Sequence, residues 1–284
     1  MMNTNLYQTK LTCGPYEIPL GKKTLIMGIL NATPDSFSDG GKYNQIEQAV
    51  LRAKELVEQG ADIIDIGGES TRPGAKLVGV EEELERVIPV ITALAKELSV
   101  PISIDTYKAD VAKAAIAAGA TIINDVWGAK ADPDMAKVAA QHEVPIILMH
   151  NRKERNYQQL IPDMISDLYE SITIVKLAGV KEENIVVDPG IGFAKTHEDN
   201  LEVLNALDQF SSLGYPILLG TSRKSFIGKV LDLPPEERME GTGATVCLGI
   251  QKGCQIVRVH DVKEIARMAK MMDAILLRGG ITHR

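Results

Sequence analysis

The chain has 284 residues, 45% of them hydrophobic and 24% charged, and its 31 Lys and Arg against 38 Asp and Glu give a formal charge of -7. That balance repels nucleic acid and anionic membranes, so neither is expected as a partner, and an anionic ligand would need a local cluster of basic groups. Cys13, Cys247 and Cys254 form no Cys-x-x-Cys pair, the start lacks a basic segment followed by an apolar core, and no apolar run approaches the ~20 residues that span a bilayer, so the expected setting is a reducing cytoplasm without disulfides.

Residues 6–20 read as two short extended segments broken at Gly14-Pro15, a small β-hairpin in an N-terminal extension over residues 1–23. From Thr24 on, apolar runs at 24–30, 62–66, 102–104, 121–125, 145–149, 185–188, 216–220 and 255–259 alternate with helical patterns. Between the first two runs, Ile46, Ala49, Val50, Ala53, Leu56 and Val57 recur at helical spacing, and Gly60 supplies a left-handed stop. Leu84, Val87, Ile88, Ile91, Leu94, Ala95 and Leu98 repeat the pattern, with Pro89 expected to bend that helix or to mark a later start. The stretch Gly60-Ala61-Asp62-Ile63-Ile64-Asp65 returns 59 residues later as Gly119-Ala120-Thr121-Ile122-Ile123-Asn124, two strand-and-helix units on. Eight such units in an α/β chain predict a single (β/α)8 TIM barrel over residues 24–284. The alternative, an open doubly wound sheet, should carry Gly-x-Gly-x-x-Gly after its first strand, which Asn31 to Gly41 does not supply.

Barrel sites sit at the carboxyl ends of the strands. In chain order these ends offer Asn31, Asp65 with Glu69, Asp105, Asn124 with Asp125, His150, Asp188, Arg223 with Lys224, and Arg258 with His260. Asp105, Asp188 and Asp261 are each also credible helix caps. Asp105, Asn124, Asp188 and Lys224 combine carboxylates, an amide and an ammonium, a set suited to a flat heterocycle bearing N–H donors and a carbonyl. Arg258, His260 and Asn31 lie on the last and first strands, where a cation pair and an amide could hold a diphosphate and its magnesium ion. Arg258 could equally form a salt bridge to a nearby carboxylate. Its spacing of two from His260 turns both to one side of the strand. With five histidines and no His-Glu-x-x-His, a dedicated zinc site is not expected.

Together, Asn31 to Gly41, Gly67-Gly68-Glu69-Ser70-Thr71-Arg72-Pro73-Gly74, Ile104-Asp105-Thr106, Ile123-Asn124-Asp125, Asp188-Pro189-Gly190-Ile191-Gly192-Phe193, Gly220-Thr221-Ser222-Arg223-Lys224-Ser225-Phe226 and Arg258-Val259-His260-Asp261 resemble the dihydropteroate synthases of folate biosynthesis. The resemblance implies a pterin-binding barrel, a homodimer, a sulfonamide target in which sulfonamides compete with 4-aminobenzoate, and a magnesium-dependent reaction. In that reaction 6-hydroxymethyl-7,8-dihydropterin diphosphate and 4-aminobenzoate give 7,8-dihydropteroate and diphosphate. It further implies Asp105, Lys224 and Arg258 as catalytic residues, and Asp188 and Asn124 on the pterin with Lys224 at its carbonyl oxygen and N5. Arg258, His260 and Asn31 would hold the diphosphate, and Asn31 would touch the magnesium ion. Ser225 follows Lys224 at the expected start of a helix, where free N–H groups favour an anion, and would meet the 4-aminobenzoate carboxylate or else simply cap that helix. Thr71, Arg72, Pro73 and Asp39 would close over the second substrate. Met149 and Phe193 could line the site, with core packing the expected role of Met149. The segment His150 to Tyr157 is long and basic where the family carries short Gly-containing turns, and no catalytic role is expected for it. The alternatives are a methyltetrahydrofolate-binding module of a methyltransferase, excluded by turnover without a partner, and a Schiff-base aldolase using Lys224, which borohydride trapping would expose.

Overall fold

In the computed structural model, residues 8–32, 42–69 and 77–276 are described, the side chains of 42–44 excepted. A two-stranded antiparallel hairpin, β1 (Lys10–Cys13) and β2 (Tyr16–Pro19), precedes an alternation of strands and helices. The strands are β3 (Leu25–Asn31), β4 (Ile63–Gly67), β5 (Ile102–Asp105), β6 (Ile122–Asp125), β7 (Ile146–Met149), β8 (Ile185–Asp188), β9 (Leu218–Leu219) and β10 (Ile256–Val259). The helices are α1 (Lys42–Glu58), α2 (Val80–Glu97), α3 (Ala109–Ala118), α4 (Met135–His142), α5 (Leu160–Leu177), α6 (His197–Asn205), α7 (Ser225–Leu231), α8 (Met239–Gln251) and α9 (Val262–Ile275). The eight strands are parallel in the order β8-β7-β6-β5-β4-β3-β10-β9, and a bridge from Val187 to Ile217 nearly closes the barrel. No described helix is long and apolar enough to cross a membrane.

The echoed glycines explain themselves at this level. Gly60 and Gly119 take φ of 111° and 119°, left-handed stops that turn α1 and α3 back toward β4 and β6. Pro89, in contrast, neither starts nor ends α2, which begins at Val80 and runs on to Glu97. It lies on the exposed face, where water can serve the carbonyl one turn back. The expected run at 216–220 reduces to two strand residues because Pro216 has no donor and Gly220 already leaves the ladder.

Strand alternation places the site. Leu25, Met27, Ile63, Ile122, Ile147, Val186, Leu218 and Ile256 face inward and pack with Leu11, Cys13, Ile18 and Leu20 of the hairpin region, which plugs the amino-terminal end. The opposite faces of the same strands, Ile26, Ile64, Ile104, Ile123, Leu148, Val187 and Val257 among them, pack under the helices. Burying each such aliphatic side chain contributes about 1.5 to 3 kcal/mol. One step of two residues further along, the inner face becomes polar: Ile63 is followed by Asp65, Ser103 by Asp105, Ile122 by Asn124, Val186 by Asp188, and Ile256 by Arg258 and His260.

Candidate active site

The centre of the barrel mouth is Arg258. Its Nε donates to Asp65 Oδ2 at 2.6 Å and its Nη2 to Asp105 Oδ2 at 2.6 Å. The salt bridge weighed for it is present, twice over, at the same mouth where the other expected residues gather. Asn124 Nδ2 donates to the same Asp65 oxygen at 3.2 Å. The two echoed positions thus touch, because β4 and β6 flank β5 and present equivalent inner-face residues across it. Asp65 Oδ1 and Asp105 Oδ1 are buried without a hydrogen-bond partner among the described residues. Burial pushes the Asp105 carboxyl up to about 7, with Arg258 opposing and Asp65 adding to the rise.

Asp188, on β8, accepts from the Gly190 N–H at 2.7 Å through Oδ1, and burial raises its carboxyl above the ordinary range. Glycine at 220 leaves open the space beside its other oxygen: a Cβ there would lie 3.8 Å from Asp188 Oδ2 and 4.0 Å from Arg258 Cβ. Gly67 does the same beside Asp105, 3.7 Å from its Oδ2. At these two inner-face positions no side chain is set against the carboxylates. Lys224 precedes α7, donates from Nζ to the Ile191 carbonyl, and holds Nζ 4.6 Å from the centroid of the Phe193 ring. Burial brings its ammonium down to about 8 against the pull of Asp188. Met149 is not distributed into the helix-side core; it is paired across the ladder with Asp188 on the inner face.

The remaining expected residues divide. Asn31 is exposed at the end of β3, and Ser225 is exposed as the first residue of α7. Ser222 Oγ accepts from the His260 backbone N–H at 3.1 Å and lies 2.9 Å from His260 Nδ1, which fixes the orientation of the ring. Thr71, Arg72, Pro73 and Asp39 lie outside the described residues. On either side of the first three, Val78 N–H donates to Glu69 Oε1 at 3.4 Å, and Lys108 bonds both Glu69 and Glu83.

Three strand-end groups turn away from the mouth. Asp125 faces the helix side and accepts from Trp127 and Ala129 N–H at 2.8 and 2.7 Å, capping its own turn. Arg223 directs its guanidinium to Asp261. His150 is buried between Asp167 and Lys195. The sequence reading placed Asp65 among the strand-end groups but gave it no role, although the 59-residue echo aligned it with Asn124, and it did not single out Gly220 or Lys195.

Known proteins resemble this chain over nearly its whole length. The profile of the family described as Pterin binding enzyme matches residues 27–260. A dihydropteroate synthase of Bacillus subtilis (strain 168) is 70% identical over 95% of this chain and 94% of its own length. Among solved structures, a Clostridium difficile dihydropteroate synthase determined in the presence of pteroic acid is 55% identical with a TM-score of 0.88, covering 90% of this chain and 98% of that one. The Xanthomonas albilineans enzyme with 4-aminobenzoic acid is 41% identical with a TM-score of 0.90, over 94% and 98%.

Proposed function

From the premise that the chain belongs to the pterin-binding enzyme family, and within it to the dihydropteroate synthases, we propose how its residues perform that activity. The enzyme is a transferase of folate biosynthesis: it condenses 6-hydroxymethyl-7,8-dihydropterin diphosphate with 4-aminobenzoate to give 7,8-dihydropteroate and diphosphate. Membership in this family displaces the methyltransferase-module and aldolase alternatives. A homodimer and a cytoplasmic setting are carried with it as parts of the proposal.

The observation that carries the site assignment is the inner-face charge: among the described residues, the carboxylates Asp65, Asp105 and Asp188 gather about Arg258 and Lys224. Such a mouth favours a ring that becomes positive. The methylene–oxygen bond breaks with its electron pair leaving on the diphosphate, and the amine nitrogen of 4-aminobenzoate then forms the new bond and releases a proton. Asp188 accepts from the pterin 2-amino group and ring N–H, Asn124 orients the ring beside it, Lys224 donates to its carbonyl oxygen and N5, and Asp105 faces the developing cation. Arg258 supports the ring and, with His260 and Asn31, holds the diphosphate. Ser225 meets the carboxylate of 4-aminobenzoate beside Phe193, with Thr71 and Arg72 closing over it.

A carboxylate must face the cation and an ammonium must face the carbonyl, so kcat/KM should be bell-shaped in pH. It should fall below about 7 as Asp105 gains a proton and above about 8 as Lys224 loses one. A profile flat from pH 6 to 9 would remove both residues from these roles.

Magnesium fits the residues present. No group of three or more His, Cys, Asp or Glu that could hold a metal exists among the described residues. Asn31 offers one exposed amide oxygen at the mouth, and magnesium commonly takes one or two protein ligands, keeping waters and phosphate oxygens for the rest. Bound there, the ion would neutralise charge on the departing diphosphate. Asn31→Ala should raise the magnesium concentration for half-maximal activity several-fold with the melting temperature unchanged, since the side chain is exposed; an identical magnesium titration would place the ion elsewhere.

A further inference from the structure

The loop between β8 and α6 is held from behind by the Lys195 amine, which burial brings down to about 7 but which three surrounding acceptors hold as an ammonium with every hydrogen engaged. Lys195 Nζ lies 2.9 Å from the Gly190 carbonyl oxygen, 3.0 Å from that of Phe193 and 3.0 Å from His150 Nδ1. The third partner is itself fixed, because His150 Nε2 is 3.0 Å from Asp167 Oδ2 on α5. The proton therefore sits on Nε2, donated to the carboxylate, and Nδ1 accepts from the ammonium. Burial lowers the His150 imidazole to about 4 and so keeps it neutral. Asp167 is held in turn by Arg152, through Nε at 2.5 Å and Nη2 at 3.1 Å. A carboxylate, an imidazole and an ammonium thus connect helix α5 through the end of β7 to two carbonyls of one loop.

That loop has an unusual path which needs holding. Ala194 takes φ of 48° without being glycine, and Gly190, at φ 66°, passes so close to β7 that a Cβ would come within 2.0 Å of the His150 carbonyl oxygen. The path matters to the mouth. Between the two carbonyls gripped by Lys195, the Ile191 carbonyl accepts from Lys224 Nζ, and the Phe193 ring lies beside the same nitrogen. Two further ties lie on the outer side of the loop: Tyr157 O–H donates to the Ala194 carbonyl at 3.1 Å, and Arg155 pairs with Asp199 of the α6 capping box.

We propose that Lys195, backed by His150 and Asp167, is a positioning residue that fixes the β8–α6 loop so that Phe193 keeps its place at the 4-aminobenzoate side of the mouth. The inference rests on the reading of Phe193 and Ser225 given above. Its selectivity follows from the fold: the pterin-side groups Asp105, Asn124 and Asp188 stand on strands and Lys224 at the start of α7, whereas Phe193 stands on this loop.

Steady-state kinetics of Lys195→Met and Asp167→Asn test it, together with calorimetry of a pterin and thermal melting. In Lys195→Met the KM for 4-aminobenzoate should rise at least about tenfold, while the KM for the pterin diphosphate and the pterin affinity stay within about threefold. Asp167→Asn, which loosens His150 without touching the loop, should move the same KM in the same direction by about threefold, and it decides the matter if Lys195→Met does not fold. Unchanged KM values in a folded variant, or equal losses for both substrates, would overturn the proposal. If the unmodified enzyme formed no product from the two substrates, the reading of the site would fail instead.

Discussion

Arg258→Met should cost about 3 to 5 kcal/mol of folding stability and lower turnover by about two to three orders of magnitude. The guanidinium satisfies one oxygen each of Asp65, which is fully buried, and Asp105, which is 8% exposed, and the second oxygen of each already lacks a partner among the described residues. Methionine fills similar space but leaves two carboxylates in a dry mouth with only Asn124 and the distant Lys224 to offset them. The loss has a signed pH dependence. The folded-state carboxyl of Asp105 is already raised to about 7, and without Arg258 it rises further. A carboxyl raised on folding contributes stability that is present below its unfolded pKa and lost as pH rises through the folded one. The stability deficit of the variant should therefore stay nearly level between about pH 4 and 7, where Asp105 keeps its proton in both folded proteins, and grow as pH rises beyond about 7, as urea unfolding at several pH values would register. A deficit constant with pH would mean that the two carboxylates are not what Arg258 holds in place.

The second large effect is expected for Asp188→Asn. The amide can keep the bond from Gly190 N–H through its oxygen, so the turn at 188–190 should survive and the protein should melt at nearly the same temperature. What changes is the other position, beside Gly220, where an NH2 group replaces an acceptor and meets the N–H edge of the pterin donor to donor. Hydrogen bonds to a charged group contribute about 1.5 to 3 kcal/mol, so pterin affinity measured by calorimetry should fall by about tenfold to a hundredfold. Retained affinity would show that Asp188 acts only on its own loop.

Much of this was legible in the sequence because a parallel barrel writes itself plainly. Strands buried on both faces are continuous apolar runs, and the first inner-face position that needs no burial is polar, so the strand ends listed the mouth before any coordinates did. The echo of Asp65 at Asn124 contained more than repetition, since the Asn124 amide donates to the Asp65 carboxylate, but nothing in one dimension says that residues 59 apart are in contact. The ion pairs of Arg258 span 193 and 153 residues and follow only from barrel closure. Side-chain direction at a strand end was the weakest inference. In four-residue strands one position decides whether a group faces the mouth or the helices, and Asp125, one residue beyond Asn124, faces the helices. The basic segment at 150–157 had no sequence explanation either. It is consumed locally, Arg152 by Asp167 and Arg155 by Asp199, in tying β7 to the helices behind the β8–α6 loop.

The central claim is that this mouth joins a pterin methylene to an aromatic amine by expelling diphosphate with magnesium at hand. The most direct measurement is product formation by the purified chain supplied with 6-hydroxymethyl-7,8-dihydropterin diphosphate and 4-aminobenzoate, before and after chelation of divalent ions. One 7,8-dihydropteroate and one diphosphate should appear per turnover, the rate should collapse on chelation, and added magnesium should restore it. No product from the two substrates with magnesium present, or a rate indifferent to chelation, would contradict the account.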